Sequence, residues 1–216
     1  MPPRLRPVLM LVVGALVTFG LSGRWLDPWL WAWLLVWSAC FAYAVTSISD
    51  GLARERFAPP EQSADRLALH FIRLVSLGHI VIGALDTGRW HLFPVATPLR
   101  AVGLAGMAFF GAMVFRAMVA NQFFSAVVRV QRERGHQVVD VGPYATVRHP
   151  GYLGMMVSVP CSGLVLGSWL AVGLGLVYAA MMLRRVMFED AFLRVNLDGY
   201  ADYRTRVRYR LVPGLW

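Results

Sequence analysis

Apolar residues run almost without interruption through six stretches of this chain, at about 7–22, 29–48, 67–85, 99–120, 152–166 and 169–188. The runs are continuous and do not alternate with polar residues as a half-buried strand would. A helix needs roughly 20 residues to cross about 30 Å of hydrocarbon, and backbone groups in lipid must be satisfied internally. The pattern predicts an all-α integral membrane protein with about six transmembrane segments and argues against a β-barrel. The fifth segment is short, reaching only about 22 Å at ~1.5 Å per residue. It contains Pro160, which is expected to kink it, and Gly167-Ser168 leads straight into the sixth. These two segments read as a tight helical hairpin. Gly163 and Gly167 have the small-xxx-small spacing that permits close contact, and Gly103, Gly106, Gly173 and Gly175 read as packing glycines.

Polar residues fill in the rest. Beyond the sixth segment, Leu193, Leu197, Tyr200, Tyr203 and Val207 recur every three or four residues among arginines and aspartates. That spacing predicts a C-terminal amphipathic helix. With the N-terminus in the cytoplasm, 16 of the 21 arginines flank the cytoplasmic side, Arg4 and Arg6 among them, while Arg24 and Arg89 flank the other. The positive-inside rule then places both termini in the cytoplasm of a multi-pass protein. The loop 121–151, the end of the sixth segment and the C-terminal helix share that side. N-terminal transmembrane helices over 1–120 and a core over 121–216 read as one integrated domain.

Composition agrees. Hydrophobic residues make up 57% and charged residues 15%, against about 25% charged in a soluble domain. The net charge of +9 follows topology, so nucleic acid is not an expected partner. Cys40 and Cys161 lie in apolar runs and give neither a disulfide framework nor a metal-ligand spacing. Arg4 and Arg6 before Val8–Leu21 resemble a signal peptide, but no A-x-A-like site follows, which predicts a retained first helix.

Candidate chemistry concentrates in Gly142-Pro-Tyr-Ala-Thr-Val-Arg-His-Pro-Gly-Tyr-Leu-Gly154. Ionisable groups at a membrane boundary are costly and call for a reason. His149 precedes Pro150, which suits the first turn of a helix. A capping role and an anion-binding role beside free N–H groups are both open for it. Arg185 and Glu189 are four apart on one helix face; they suit either an intrahelical ion pair, or a carboxylate grip and a hydrogen-bond acceptor. His70, His79, Arg73 and Arg116 read as packing or snorkelling residues, and Asn121-Gln122 as a helix terminus. The residues alone predict a polar cytosolic-side pocket at the membrane boundary.

The ordered set Gly142-x-Tyr144-x-x-x-Arg148-His149-Pro150-x-Tyr152-x-Gly154, Arg185-x-x-x-Glu189-Asp190-x-x-Leu193, Tyr200-x-x-Tyr203 and Arg210-x-x-Pro213 resembles the isoprenylcysteine carboxyl methyltransferase family, grouped with membrane phospholipid methyltransferases. The resemblance covers about 129–213, and the first four segments carry no matching motif. It implies a methyltransferase core that uses S-adenosyl-L-methionine. The implied cofactor contacts are His136, Gln137, Val138, Val139, Tyr144, His149, Pro150, Gly151, Tyr152 and Glu189, with Arg185 facing the acceptor. Arg185 and Glu189 are the implied catalytic pair, and an upstream contact falls on Arg129 or Gln131. Asp190 stands where the family commonly has a second glutamate. Leu197-Asp-Gly199 replaces the usual Phe-Gly. The implied partners are membrane lipids and a lipophilic acceptor, either a prenylcysteine-like carboxylate or a lipid amine. A sterol-reductase-type enzyme using a nicotinamide cofactor and a non-catalytic lipid-binding protein are the competing readings.

Overall fold

The computed structural model describes residues 5–59 and 65–216, and the described residues form eight α-helices: α1 (Leu5–Ser22), α2 (Pro28–Ser47), α3 (Asp50–Phe57), α4 (Arg66–Leu85), α5 (Thr97–Ala120), α6 (Pro150–Leu166), α7 (Trp169–Asn196) and α8 (Tyr200–Arg206). Arg4, counted in the first flank, lies outside them. The six apolar stretches are α1, α2, α4, α5, α6 and α7. Five are long and apolar enough to span a membrane; α6, at 17 residues, is the short sixth. Their outer faces carry the large apolar side chains that lipid would cover, such as Leu16, Leu35 and Phe109. This is an all-α, multi-pass integral membrane protein.

Local signals set the helix starts. The Asp27 side chain accepts from Trp29 N–H at 2.8 Å ahead of Pro28, which suits a first turn. Ser49 caps α3 through Leu52 N–H at 3.2 Å. The short helix α3 lies inside what reads in sequence as a plain connection.

The hairpin prediction holds. Gly167 turns the chain at φ 87°, and Ser168 caps α7 through Ala171 N–H at 3.2 Å. The helices touch backbone to backbone: a Cβ on Gly163 would lie 2.6 Å from Val172 N, and one on Gly175 2.7 Å from Pro160 Cα. Pro160 sits within α6 without ending it. Gly167 serves the turn and also lies against Arg100 of α5, where a Cβ would come within 3.1 Å of the guanidinium, whereas Gly173 faces open space and is not the packing glycine expected. A buried polar network ties the same end of the bundle. Asp86 accepts from Ser168 Oγ at 2.5 Å, and Arg100 donates to Val165 O at 2.9 and 3.0 Å while pairing with Asp27.

The other end differs from expectation in the tail. Helix α7 runs eight residues past the apolar stretch. Its 28 residues span about 42 Å, leaving ~12 Å beyond a ~30 Å hydrocarbon layer. The predicted amphipathic helix is broken at 197–199, where Gly199 adopts φ 77°. Only α8 continues it, yet Leu197, Tyr200, Tyr203 and Val207 still bury together, packed by Leu193 and Val138. The apolar period was right about the face and wrong about continuity.

Candidate functional site

A cavity of about 1050 Å³ opens at the end of the bundle formed by the loop 121–149, α3 and the C-terminal segment, and extends between the helices. His136, Gln137, Val138, Val139, Tyr144, His149, Gly151, Tyr152, Arg185 and Glu189 all line its polar head. Of the predicted cofactor residues, Pro150 alone is off the wall; it is buried at the first turn of α6. The body is largely apolar, with Met10, Phe41, Ile72, Phe115, Val159 and Met182 among its walls.

Each element supplies its side chains for a local reason. The face of α6 carrying Tyr152, Met155 and Val159 turns to the cavity at helical spacing, as does the face of α7 carrying Tyr178, Met182, Arg185 and Glu189. Tyr152 Oη donates to Glu189 Oε2 at 2.5 Å, joining the two helices. Arg185 donates to Ala126 O at 2.7 Å and pairs with Asp65 at 3.2 Å. The Arg185–Glu189 ion pair that the spacing allowed is thus replaced by partners from the loop and from α4's approach.

His149 stands at the N-cap of α6, but its side chain makes no cap bond. Its N–H donates to Arg210 O at 2.9 Å, and Arg148 N–H donates to Tyr209 O at 3.0 Å. These two N–H groups, which precede the helix, are taken by the C-terminal segment, while Gly151, the first residue of α6 with an N–H, lies on the cavity wall. The imidazole Nε2 lies 3.3 Å from both Asp190 Oδ1 and Tyr200 Oη.

Asp190 is the anchor that the motif reading passed over as a mere departure from glutamate. It is 2% exposed. Arg148 grips it at 2.8 and 3.2 Å, Tyr200 Oη donates at 2.9 Å and Arg210 Nε at 3.0 Å. Arg148 also donates to Val207 O and Arg208 O at 2.7 and 2.8 Å. One carboxylate thus fastens the Arg-His-Pro turn, α7, α8 and the tail. The available signal was the column of arginines and tyrosines after residue 199.

The upstream alternatives also separate. Arg129 lines the cavity and is clamped by Glu55 of α3 and by Glu133 at 2.6 Å. Gln131 is fully buried; it donates to Phe123 O at 2.8 Å and accepts from Arg134, so it braces the loop. Asn121 caps the end of α5, accepting from Phe123 N–H at 2.8 Å, and also reaches the cavity wall. His136 stacks on Phe123 with centroids 4.4 Å apart. Gln131 N–H donates to its Nδ1 at 3.2 Å, so Nε2 carries the proton. Burial, then the charges of Arg129 and Arg134, push this histidine down to about 4. Burial pushes the Tyr144 phenol up.

Deeper in the cavity, Trp33 Nε1 donates to Ser162 Oγ at 2.8 Å, and Ser162 lies 3.1 Å from His79 Nε2. His79 Nδ1 then donates to Ala171 O at 2.9 Å. His79 is a satisfied packing histidine, as the sequence suggested, although it reaches the cavity wall.

Fold and site together define an integral-membrane helical protein whose boundary pocket continues into an apolar space within the bundle. Residues 101–195 match the isoprenylcysteine carboxyl methyltransferase (ICMT) family model, and the resemblance read from the motifs stands. A protein-S-isoprenylcysteine O-methyltransferase of Schizosaccharomyces pombe is 36% identical over 94 residues, 42% of this chain and 40% of that one. A probable protein-S-isoprenylcysteine O-methyltransferase of Oryza sativa subsp. indica is 31% identical over 122 residues, 54% of this chain and 64% of that one. These matches span less than two thirds of the relatives' own lengths. The structure of the eukaryotic intramembrane Ras methyltransferase ICMT superposes with a TM-score of 0.57 at 16% identity, covering 97% of this chain and 75% of that one. That likeness concerns the fold.

Proposed function

We propose that the chain is a membrane methyltransferase that uses S-adenosyl-L-methionine and methylates a lipophilic acceptor reaching it from the bilayer. One observation carries the reading. The motif residues from 136–152 and from α7 face a single cavity that passes without a break from a polar head to an apolar body. The donor set of the head suits this cofactor. A sulfonium cation is stabilised by carboxylates and aromatic faces, and Glu189, Tyr144, Tyr152, Tyr200 and Tyr203 offer both. Val138, Val139, Leu193 and Leu197 offer apolar surface beside them. The methyltransferase relatives favour this reading over the nicotinamide reductase and the non-catalytic one.

When bound, S-adenosylmethionine supplies a methyl carbon on positively charged sulfur; an acceptor carboxylate oxygen takes that carbon with its own lone pair, and sulfur keeps the electrons of the broken bond. No proton needs to move, so the protein's contribution is to orient and to exclude water. Arg185, held by Ala126 O and Asp65, positions the acceptor carboxylate. Tyr152 fixes Glu189, leaving Oε1 of that carboxylate for a hydroxyl or amino group of the cofactor. For an amine acceptor, Glu189 or His149 would take the proton. In this reading 121–216 supplies the cofactor core, 1–120 the acceptor walls, and both termini lie in the cytoplasm. The relatives' names point to a prenylcysteine-like carboxylate as the acceptor.

Thermal stability in detergent tests the cofactor assignment. At a ligand concentration 100 times Kd, mass action adds about 2.7 kcal/mol. S-adenosylmethionine at millimolar concentration is expected to raise the melting temperature, and nicotinamide cofactors to leave it unchanged. The opposite pattern contradicts the proposal.

A further inference from the structure

The arginines on the head of the cavity are not alike. Arg148 is gripped by Asp190, Arg129 by Glu55 and Glu133, and Arg185 by Asp65 and a carbonyl. Arg56, on α3, also lines the cavity. Its guanidinium lies 5.2 Å from the Phe124 ring centroid, and Nη2 is 3.9 Å from Met155 Sδ, a weak acceptor. Among the described residues no carboxylate pairs with it. Its electrostatic neighbours are the phenols of Tyr178 and Tyr152 and two further cations, Arg185 and Arg73. A cation at a membrane boundary normally pairs, and Arg56, half-buried on the cavity wall, stands without a carboxylate counter-charge among the described residues, which is costly. Repulsion from Arg185 adds to that cost. A ligand anion placed between Arg56 and Arg185 removes both penalties.

Two anions enter this site under the methyltransferase reading: the aminoacyl carboxylate of the methyl donor and the acceptor's head group. Position favours the second. Arg56 neighbours Tyr178 and Met155, which face the apolar body of the cavity, as well as Tyr152 and the Phe124 ring that packs on Gly151. It therefore stands on the body side of the implied donor contacts, where the head passes into the body. We propose that Arg56 is a second acceptor-positioning residue, forming with Arg185 a two-guanidinium seat that selects anionic head groups and rejects lipid amines. The seat rests on the methyltransferase reading. It assigns a specificity role to the N-terminal half of the chain, which carries no family motif. Arginine suits the role because its planar fork reads a carboxylate by geometry as well as by charge.

The test uses the full-length protein with N-acetyl-S-farnesylcysteine as carboxylate probe and its carboxamide as neutral control. Binding is read by thermal shift, turnover with labelled S-adenosylmethionine. Wild type is expected to bind the acid in preference to the amide. Losing a charged hydrogen-bond partner weakens binding by about 10- to 100-fold. Arg56→Gln should therefore raise the KM and Kd of the acid by that factor, largely erase its preference over the amide, and leave the Kd of S-adenosylmethionine within about twofold. Arg56→Lys should recover part of the loss; if the glutamine variant does not fold, the lysine variant must itself show the raised acid Kd with unchanged donor Kd. Unchanged acid binding in the variants overturns the seat, and so does a loss confined to S-adenosylmethionine. If wild type binds the acid selectively but transfers no methyl group, the methyltransferase reading fails and the seat survives as an anion site.

Discussion

Replacing Asp190 by asparagine tests the anchor that holds the motif segments together. The change is nearly isosteric, so it removes charge without opening a cavity. Asp190 is 2% exposed and receives Arg148 at 2.8 and 3.2 Å, Tyr200 at 2.9 Å and Arg210 at 3.0 Å. The asparagine oxygen keeps some of these bonds, but the Arg148 charge then stays buried without its partner. Removing one member of a buried pair costs about 3–5 kcal/mol. For a chain of this size that corresponds to a melting temperature lower by roughly 6–20 °C. The loss should be local first: amide exchange should rise at Tyr209–Leu211, the segment whose carbonyls receive Arg148 and His149 N–H. The double variant Arg148→Met/Asp190→Asn should lose less than the sum of the singles, with a coupling of about 0.5–3 kcal/mol. A single-variant loss below about 1 kcal/mol, with tail exchange unchanged, would refute the anchor.

Other outcomes follow from the same geometry. Glu189→Ala is expected to weaken S-adenosylmethionine binding by at least tenfold, while Arg185→Ala leaves it within about threefold and removes turnover; isothermal titration beside single-turnover transfer separates the two, and equal loss of cofactor affinity overturns the assignment. The neutral form of His136 is the one the folded loop holds, its value being pushed down to about 4 from 6.5. Its contribution is complete above pH 6.5 and is lost as pH falls toward 4, where the opened loop takes up the proton. Cofactor affinity should fall across that window, and the part due to this group should vanish in His136→Phe. A Cβ at position 163 would meet Val172 N at 2.6 Å, so Gly163→Ala should lower stability by about 1–3 kcal/mol in a detergent melt. Gly173→Ala, which meets nothing within 4 Å, should not.

The membrane helices were legible because a continuous apolar run has few alternatives in lipid, and the α6–α7 hairpin because Pro160 and Gly167-Ser168 mark it locally. The residues 142–152 were legible through their ordered motif, and 136–139 only through the family resemblance that the motif carries. What lay hidden depends on distance along the chain. Asp190 collects partners from positions 148, 200 and 210, and the two arginines among them, taken singly, read as positive-inside flanking. Glu55 and Arg56 sit in α3, eight residues too short and too polar to stand out, and only the fold brings them beneath the 121–149 loop. The break at Leu197–Gly199 was missed because the burial period of Leu193, Leu197, Tyr200 and Tyr203 survives it. A hydrophobic period reports which face is buried, while a left-handed glycine decides where the helix stops.

The central claim is methyl transfer from S-adenosylmethionine to a lipophilic acceptor. Its most direct test incubates the purified protein with methyl-labelled S-adenosylmethionine and a total lipid extract, with N-acetyl-S-farnesylcysteine in a parallel reaction. Label should appear in an organic-soluble methyl ester released by mild base, and should be absent with Arg185→Ala. Cofactor binding without label in any lipophilic product, from protein that is folded and stabilised by the cofactor, would contradict the account.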